Sequence, residues 1–99
     1  MIGVILDFPG ARLEQHDAAV TGMGYTLDGE GQPDCLFHWV AKTDDGIRVV
    51  DVWTSREAFD QTLTGEFARQ ADALELPEPE ISFYDLHTTL RSRDLRAAP

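Results

Sequence analysis

The chain has 99 residues, of which 42% are hydrophobic and 26% are charged. This length and balance fit one globular domain and argue against disordered or fibrous structure. Its formal net charge is −10, from 18 acidic and 8 basic residues. An acidic body repels nucleic acid and anionic membrane surfaces, so neither is expected as a partner. The single cysteine, Cys35, excludes an internal disulfide or a cysteine metal cluster.

The first third of the chain predicts a strand and a helix. Residues 2–8 form a short, nearly continuous apolar run, typical of a central strand, and Pro9-Gly10 ends it. No basic leader or long apolar run is present, so the cytoplasm is the expected location. Residues 11–23 place an apolar stripe on one helical face, and His16 lies on it. A histidine in that position is typically structural.

A hairpin occupies the middle of the sequence. Residues 34–42 and 47–53 have strand character and flank the turn Thr43-Asp44-Asp45-Gly46. A four-residue loop would set His38 opposite Asp51. A three-residue loop with a bulge at Gly46 would set Trp39 there instead, and this slip of one residue exchanges the faces of the strand. We favour the first register.

The last third predicts a helix and a strand. Thr54 or Ser55 caps the helix, which is weakened by Gly65. Residues 81–90 form the last strand and complete a domain over residues 1–90. The basic tail, residues 91–99, is expected to fray. The order strand, helix, strand, strand, helix, strand predicts an α+β, ferredoxin-like βαββαβ fold. Its four-stranded antiparallel sheet has the order 4-1-3-2, with two helices on one face.

The sheet face turned away from the helices decides where a site would lie. Val50 and Val52 suit burial under helices. Asp51 and Trp53 alternate with them and are therefore predicted to face away from the helices. On this reasoning the open face holds His38, Asp51, Trp53, Phe83 and His87, and the helices cover Trp39 and Tyr84. Monomers rarely leave such an apolar face exposed. We therefore expect a homodimer that pairs two sheets around a cavity for a small molecule.

A family resemblance supports this layout. The stretches Leu36-Phe37-His38-Trp39-Val40-Ala41 and DDGIRVVDVWTSREAF, residues 44–59, resemble the dimeric α/β-barrel superfamily. That superfamily includes antibiotic-biosynthesis monooxygenase-like and stress-responsive barrel proteins, and the resemblance covers about residues 1–90. Haem-degrading members carry a histidine on the second helix, where this chain has Gln61-Thr62-Leu63-Thr64. Haem is therefore not expected, and no cofactor is predicted.

The candidate chemistry rests on the histidines. Histidine exchanges protons readily near neutral pH, so His38 and His87 are the predicted general bases. Asp51 would fix the tautomer of His38. The aromatic side chains predicted to bind a planar ligand are Trp53 and Phe83, and Trp39 and Tyr84 enter the cavity as well if the register is the other one. No spacing typical of a metal site is present, so no metal is expected.

These features favour a small cofactor-independent enzyme, a cyclase or monooxygenase acting on an aromatic or polyketide-like metabolite. The alternative is a non-catalytic or stress-associated barrel that only binds a small molecule. A third possibility is an open face that serves solely as a dimer core.

Overall fold

The computed structural model describes residues 1–90. Within them the elements follow the order β1 (Ile2–Pro9), α1 (Leu13–Gly22), β2 (Cys35–Lys42), β3 (Gly46–Trp53), α2 (Arg56–Thr64), α3 (Glu66–Ala73) and β4 (Glu80–Asp85). All strand pairs are antiparallel, and the sheet order is β2-β3-β1-β4. The predicted ferredoxin-like α+β fold is therefore confirmed, because this order is 4-1-3-2 read from the other edge. The predicted tail, residues 91–99, lies outside the described residues.

The second helical region is divided in two. Ser55 caps α2, where its Oγ accepts a hydrogen bond from the Ala58 N–H at 3.1 Å. Gly65 then adopts a non-helical conformation and separates α2 from α3. The low helix propensity of glycine explains why the break falls here.

The last strand is shorter than predicted, ending at Asp85 rather than Leu90. Within residues 1–90 it pairs with β1 alone, and the first residue of β1, Ile2, pairs with Asp85. Among residues 86–90, the Leu86 N–H alone has a backbone partner, the carbonyl oxygen of Met1 at 3.3 Å. A strand needs such partners for its N–H and C=O groups, so β4 stops where β1 begins.

The hairpin has the favoured register. Lys42 pairs with Ile47, and His38 pairs with Asp51. Gly46 does not take the left-handed conformation that a bulge there would require. The irregularity lies instead at the start of β2, where the pairing shifts between Cys35 and Phe37. The four-residue loop is therefore confirmed.

The predicted orientation of β3 is wrong. Asp51 and Trp53 lie on the helix face, only 6% and 4% exposed, whereas Val50 and Val52 point to the open face. Trp53 joins the core formed chiefly by Val4, Leu6, Phe8, Ile47, Val49 and Phe59. The valines misled the prediction because both faces of this sheet are apolar, so valine does not distinguish them.

The faces predicted for Phe83, Trp39 and Tyr84 are also wrong. Phe83 lies on the helix face, edge-on to Phe59 at 5.5 Å between centroids, with the Arg56 guanidinium 3.5 Å from its ring centre. Trp39 and Tyr84, predicted to lie under helices, are 43% and 54% exposed on the opposite side. Trp39 is misplaced because the orientation of β3 is inverted, whereas Phe83 and Tyr84 were assigned from alternation along β4 itself, and the orientation of that strand is inverted as well.

The open face is apolar, as expected, but is built from other side chains than those predicted. Its members are Ile5, Phe37, Trp39, Val50, Val52 and Tyr84. A four-stranded sheet of this length presents on the order of 500 Å² per face. At one end Arg48 donates two hydrogen bonds to Asp7, at 2.7 and 3.0 Å. The ion pair lowers the pKa of Asp7, chiefly through these hydrogen bonds.

Candidate functional site

A buried carboxylate joins two candidate residues on the helix face. Asp51 Oδ1 lies 2.7 Å from His38 Nδ1, and Asp51 Oδ2 accepts a hydrogen bond from Trp53 Nε1–H at 3.0 Å. The strand register produces the first contact, because His38 and Asp51 are directly opposed on β2 and β3. Three of the predicted site residues therefore meet at one point, beneath α1 rather than between two sheets.

His16 extends this cluster to the surface. Its Nε2 lies 3.0 Å from Nε2 of His38, and its Nδ1 lies 3.0 Å from Asp17 Oδ1. The His16 side chain is 11% exposed, whereas Asp17 is 48% exposed. The result is a continuous hydrogen-bonded series, Asp17–His16–His38–Asp51–Trp53, which we call the histidine relay. Sequence reasoning treated His16 as structural, although its place on the inward stripe of α1 was the signal.

The two imidazoles meet edge to edge. Their planes differ by 11°, and their centroids are 5.2 Å apart. The two Nε2 atoms are 3.0 Å apart, so the ring centroids are 2.2 Å further apart than the nitrogens are. This difference is about twice the distance from a ring nitrogen to the centre of its own ring, as it would be if both nitrogens lay on the line between the centroids. The rings must therefore lie nearly in one plane, with the two nitrogens pointing at each other.

This arrangement has a definite proton requirement. Each ionised carboxylate accepts from the Nδ1 that faces it, so both Nδ1 atoms carry a proton. The contact between the two Nε2 atoms needs one further proton, since two opposed lone pairs would repel. All contacts are satisfied when the rings together hold three protons and one positive charge, placed between Asp17 and Asp51.

The remaining predicted residues lie elsewhere. His87 follows β4 in an exposed stretch, and its side chain makes none of the hydrogen bonds of the histidine relay. Two open depressions in the described surface are lined by other residues than those of the histidine relay. One lies beside Asp7 and Arg48, and the other, of about 690 Å³, runs between α3 and β4.

The side chains of the histidine relay are not arranged as the ligands of a metal ion. Within residues 1–90 no three histidine, cysteine, aspartate or glutamate side chains are grouped as metal ligands. The relay offers two nitrogen donors that face each other rather than a common point.

Cys35 neighbours the relay but lies against the core. Burial raises the pKa of its thiol to about 12, and the nearby charge of Asp51 acts in the same direction. The thiolate is the reactive form, so at pH 8 only about one thiol in 10⁴ is ionised. We expect iodoacetamide to modify folded protein at pH 8 at least about 100-fold more slowly than urea-unfolded protein. Equal rates, measured by mass spectrometry, would contradict the burial.

Comparisons with known proteins bear on the fold. No family model matches the chain, and no curated protein matches it significantly. Among solved structures it is similar to SnoaB, a cofactor-independent oxygenase from Streptomyces nogalater. That match has a TM-score of 0.63 and 22% identity, and it covers 92% of this chain and 97% of SnoaB.

Two further structures extend the comparison. The monooxygenase ActVA-Orf6 of Streptomyces coelicolor, solved with nanaomycin D, matches with a TM-score of 0.55 and 18% identity over 92% of this chain and 90% of its own. A Deinococcus radiodurans protein assigned to the antibiotic biosynthesis monooxygenases matches with a TM-score of 0.62 and 15% identity, covering 93% and 98%. The chain therefore has the fold of these monooxygenase-like proteins, as the resemblance predicted.

The membrane question has a direct answer for the described part of the chain. No helix within residues 1–90 is long and apolar enough to cross a bilayer.

Proposed function

We propose that this protein is a cytoplasmic homodimeric barrel that binds a small aromatic, polyketide-like metabolite and promotes its oxygenation or cyclisation without a cofactor. The observation that carries the proposal is the His38–Asp51 pair, in which a buried carboxylate lies 2.7 Å from an imidazole that is itself 39% exposed. A carboxylate so placed holds one ring nitrogen and leaves the other to exchange protons. The fold neighbours described as oxygenases support the reaction class.

The chemistry starts with a proton transfer. His38 removes the O–H proton of a phenol or enol, and the electron pair left on oxygen delocalises onto a ring carbon that carries a hydrogen. Asp51 stabilises the imidazolium that forms. For oxygenation, that carbon adds O₂, the imidazolium of His38 returns its proton to the peroxide, and loss of water with the carbon's own hydrogen leaves a new C=O group. O₂ is the oxidant and supplies both the new oxygen atom and the oxygen of the water.

Self-association is the second part of the proposal. The open face exposes Phe37, Trp39 and Tyr84 by 47%, 43% and 54%. Large apolar areas of this kind mark interfaces, and pairing two such faces about a two-fold axis would remove them from water. The ligand sites would then lie on the outer, helix-covered sides of the dimer.

One observation favours a second candidate, a barrel that binds a small molecule without reacting. Both ring nitrogens of His38 have partners, Asp51 at Nδ1 and His16 at Nε2. A histidine engaged at both nitrogens cannot accept a proton until one contact opens. Turnover therefore separates the two candidates.

The test is oxygen uptake with dithranol, a tricyclic phenol with an acidic ring C–H. Wild-type protein is expected to accelerate its oxidation by O₂ above the protein-free rate. H38Q should lose at least about tenfold of that acceleration, because glutamine cannot take up the proton. K42Q, an exposed change on the same strand, is the matched control and should retain the wild-type rate.

Three results would revise the proposal. If H87Q rather than H38Q loses the acceleration, His87 is the general base. The role predicted for His87 is otherwise untested. Full rates in both variants would exclude histidine catalysis. No acceleration by wild-type protein, combined with thermal stabilisation by nanaomycin D, would favour the non-catalytic candidate.

A further inference from the structure

We propose that His16 is a second catalytic residue, and that the hydroxyl group of a phenol or enol enters between His16 and His38 in place of their direct contact. This inference rests on the proposed function and extends it to the mode of binding. The structure supplies the main observation, two Nε2 atoms aimed at each other at 3.0 Å in nearly coplanar rings.

A hydroxyl oxygen suits the space between these nitrogens. It can accept a hydrogen bond from one Nε2–H and donate its own proton to the other Nε2. Two such bonds of about 2.8 Å require the nitrogens to separate to roughly 5 Å. His38 lies on β2, an edge strand, and its side chain is 39% exposed, so its ring can be reached from solvent. An apolar ligand without a hydroxyl group cannot replace the contact without leaving both nitrogens unpaired.

The proton step then balances. In the free protein one proton lies between the rings, and on ligand entry it stays on Nε2 of His16. The ligand O–H bond breaks and the Nε2–H bond of His38 forms, while the electron pair remains on oxygen. The oxyanion now accepts hydrogen bonds from both imidazolium groups. Asp17 and Asp51 balance the two positive charges, each from the Nδ1 side of its own ring.

The geometry argues against the other uses of two facing histidines. Metal ligands direct their lone pairs to one point at an angle, whereas these rings point along a common line. A purely structural link between α1 and β2 would not need a carboxylate behind each ring. Here both outer nitrogens face one, at 3.0 and 2.7 Å.

The experiment uses protein labelled with ¹⁵N in histidine and 4-nitrophenol as the probe. In the free dimer we expect a scalar coupling between the Nε2 nuclei of His16 and His38, transmitted through the shared hydrogen bond. Adding 4-nitrophenol should abolish the coupling and produce the absorption of the phenolate. 4-Nitroanisole, which has the same ring but no hydroxyl proton, should leave the coupling intact.

Variants on α1 complete the test. H16Q should weaken phenolate binding at least about tenfold, because glutamine donates a hydrogen bond but carries no charge. E14Q changes the charge of the same helix at an exposed position and should bind like wild type. Unchanged phenolate binding by H16Q, or a coupling that survives saturation with 4-nitrophenol, would overturn the inference. So would loss of the coupling on adding Zn²⁺ alone at micromolar concentration, which would indicate a metal site.

These results are distinguishable from failure of the proposed function. If H16Q oxidises dithranol at the wild-type rate while H38Q does not, the general base stands and the role of His16 falls. If wild-type protein shows no turnover but 4-nitrophenol opens the pair as a phenolate, the binding mode stands and the enzymatic proposal falls.

Discussion

Replacing Trp39 by aspartate is expected to convert the proposed dimer into a monomer. Trp39 lies on the open face with 43% of its surface exposed, beside the apolar side chains of β3. A buried interface tryptophan contributes about 2–4 kcal/mol, and a two-fold axis makes each substitution count twice. The dissociation constant should therefore rise at least about 10³-fold.

Sedimentation of the purified variant measures this effect. L27D is the matched control, because Leu27 is a comparable apolar residue, 42% exposed, in the loop between α1 and β2 rather than on the sheet. The control should sediment like wild type. A W39D protein that remains dimeric, or a wild-type protein that is monomeric, would show that the open face is not the subunit interface.

Removing the carboxylate of Asp51 is expected to have the largest effect on the site. In D51A, the N–H of Trp53 loses its acceptor in the core, and Nδ1 of His38 loses its partner. An unpaired buried donor costs about 1–3 kcal/mol, and the cavity left by the carboxylate adds to this. We expect the free energy of unfolding to fall by about 2–4 kcal/mol.

A second variant separates stability from chemistry. D51N keeps one oxygen for one of the two donors but turns an NH₂ group toward the other. It should fold more stably than D51A yet lose at least about 100-fold in turnover, because the tautomer of His38 is no longer fixed. D72N, an exposed change on α3, should resemble wild type in urea unfolding and oxygen uptake. Equal stability of D51A and wild type would contradict the hydrogen bonds assigned to Asp51.

Most of the fold could be predicted from the sequence because its signals are local. The hairpin turn fixed the register that opposes His38 and Asp51, and the Ser55 cap fixed the start of α2. The direction in which each strand face points is not local. It depends on which apolar face the helices cover, and Val50 and Val52 suit either side.

The candidate site was predicted only in part for the same reason. His38, Asp51 and Trp53 were correctly grouped, since cross-strand pairing and alternation place them on one face. His16 could not be added, because its contact with His38 joins residues 22 positions apart through the packing of α1 on the sheet. Periodicity shows which side of a helix faces inward, but it does not show which strand residue the helix meets.

The shift in pairing at Leu36 separates the start of β2 from the rest of the strand. Cys35 packs toward the helices while Phe37 points outward, which regular alternation between them would not allow. From there, consecutive side chains alternate between the helix face at His38 and the open face at Trp39. Loss of that one extra residue would leave the turn-fixed positions of His38 and Trp39 unchanged and would instead turn Cys35 away from the core. A one-residue change in length between Trp39 and the turn would exchange the two side chains, so the chemistry proposed for one face and the subunit contact proposed for the other depend on the same four-residue loop.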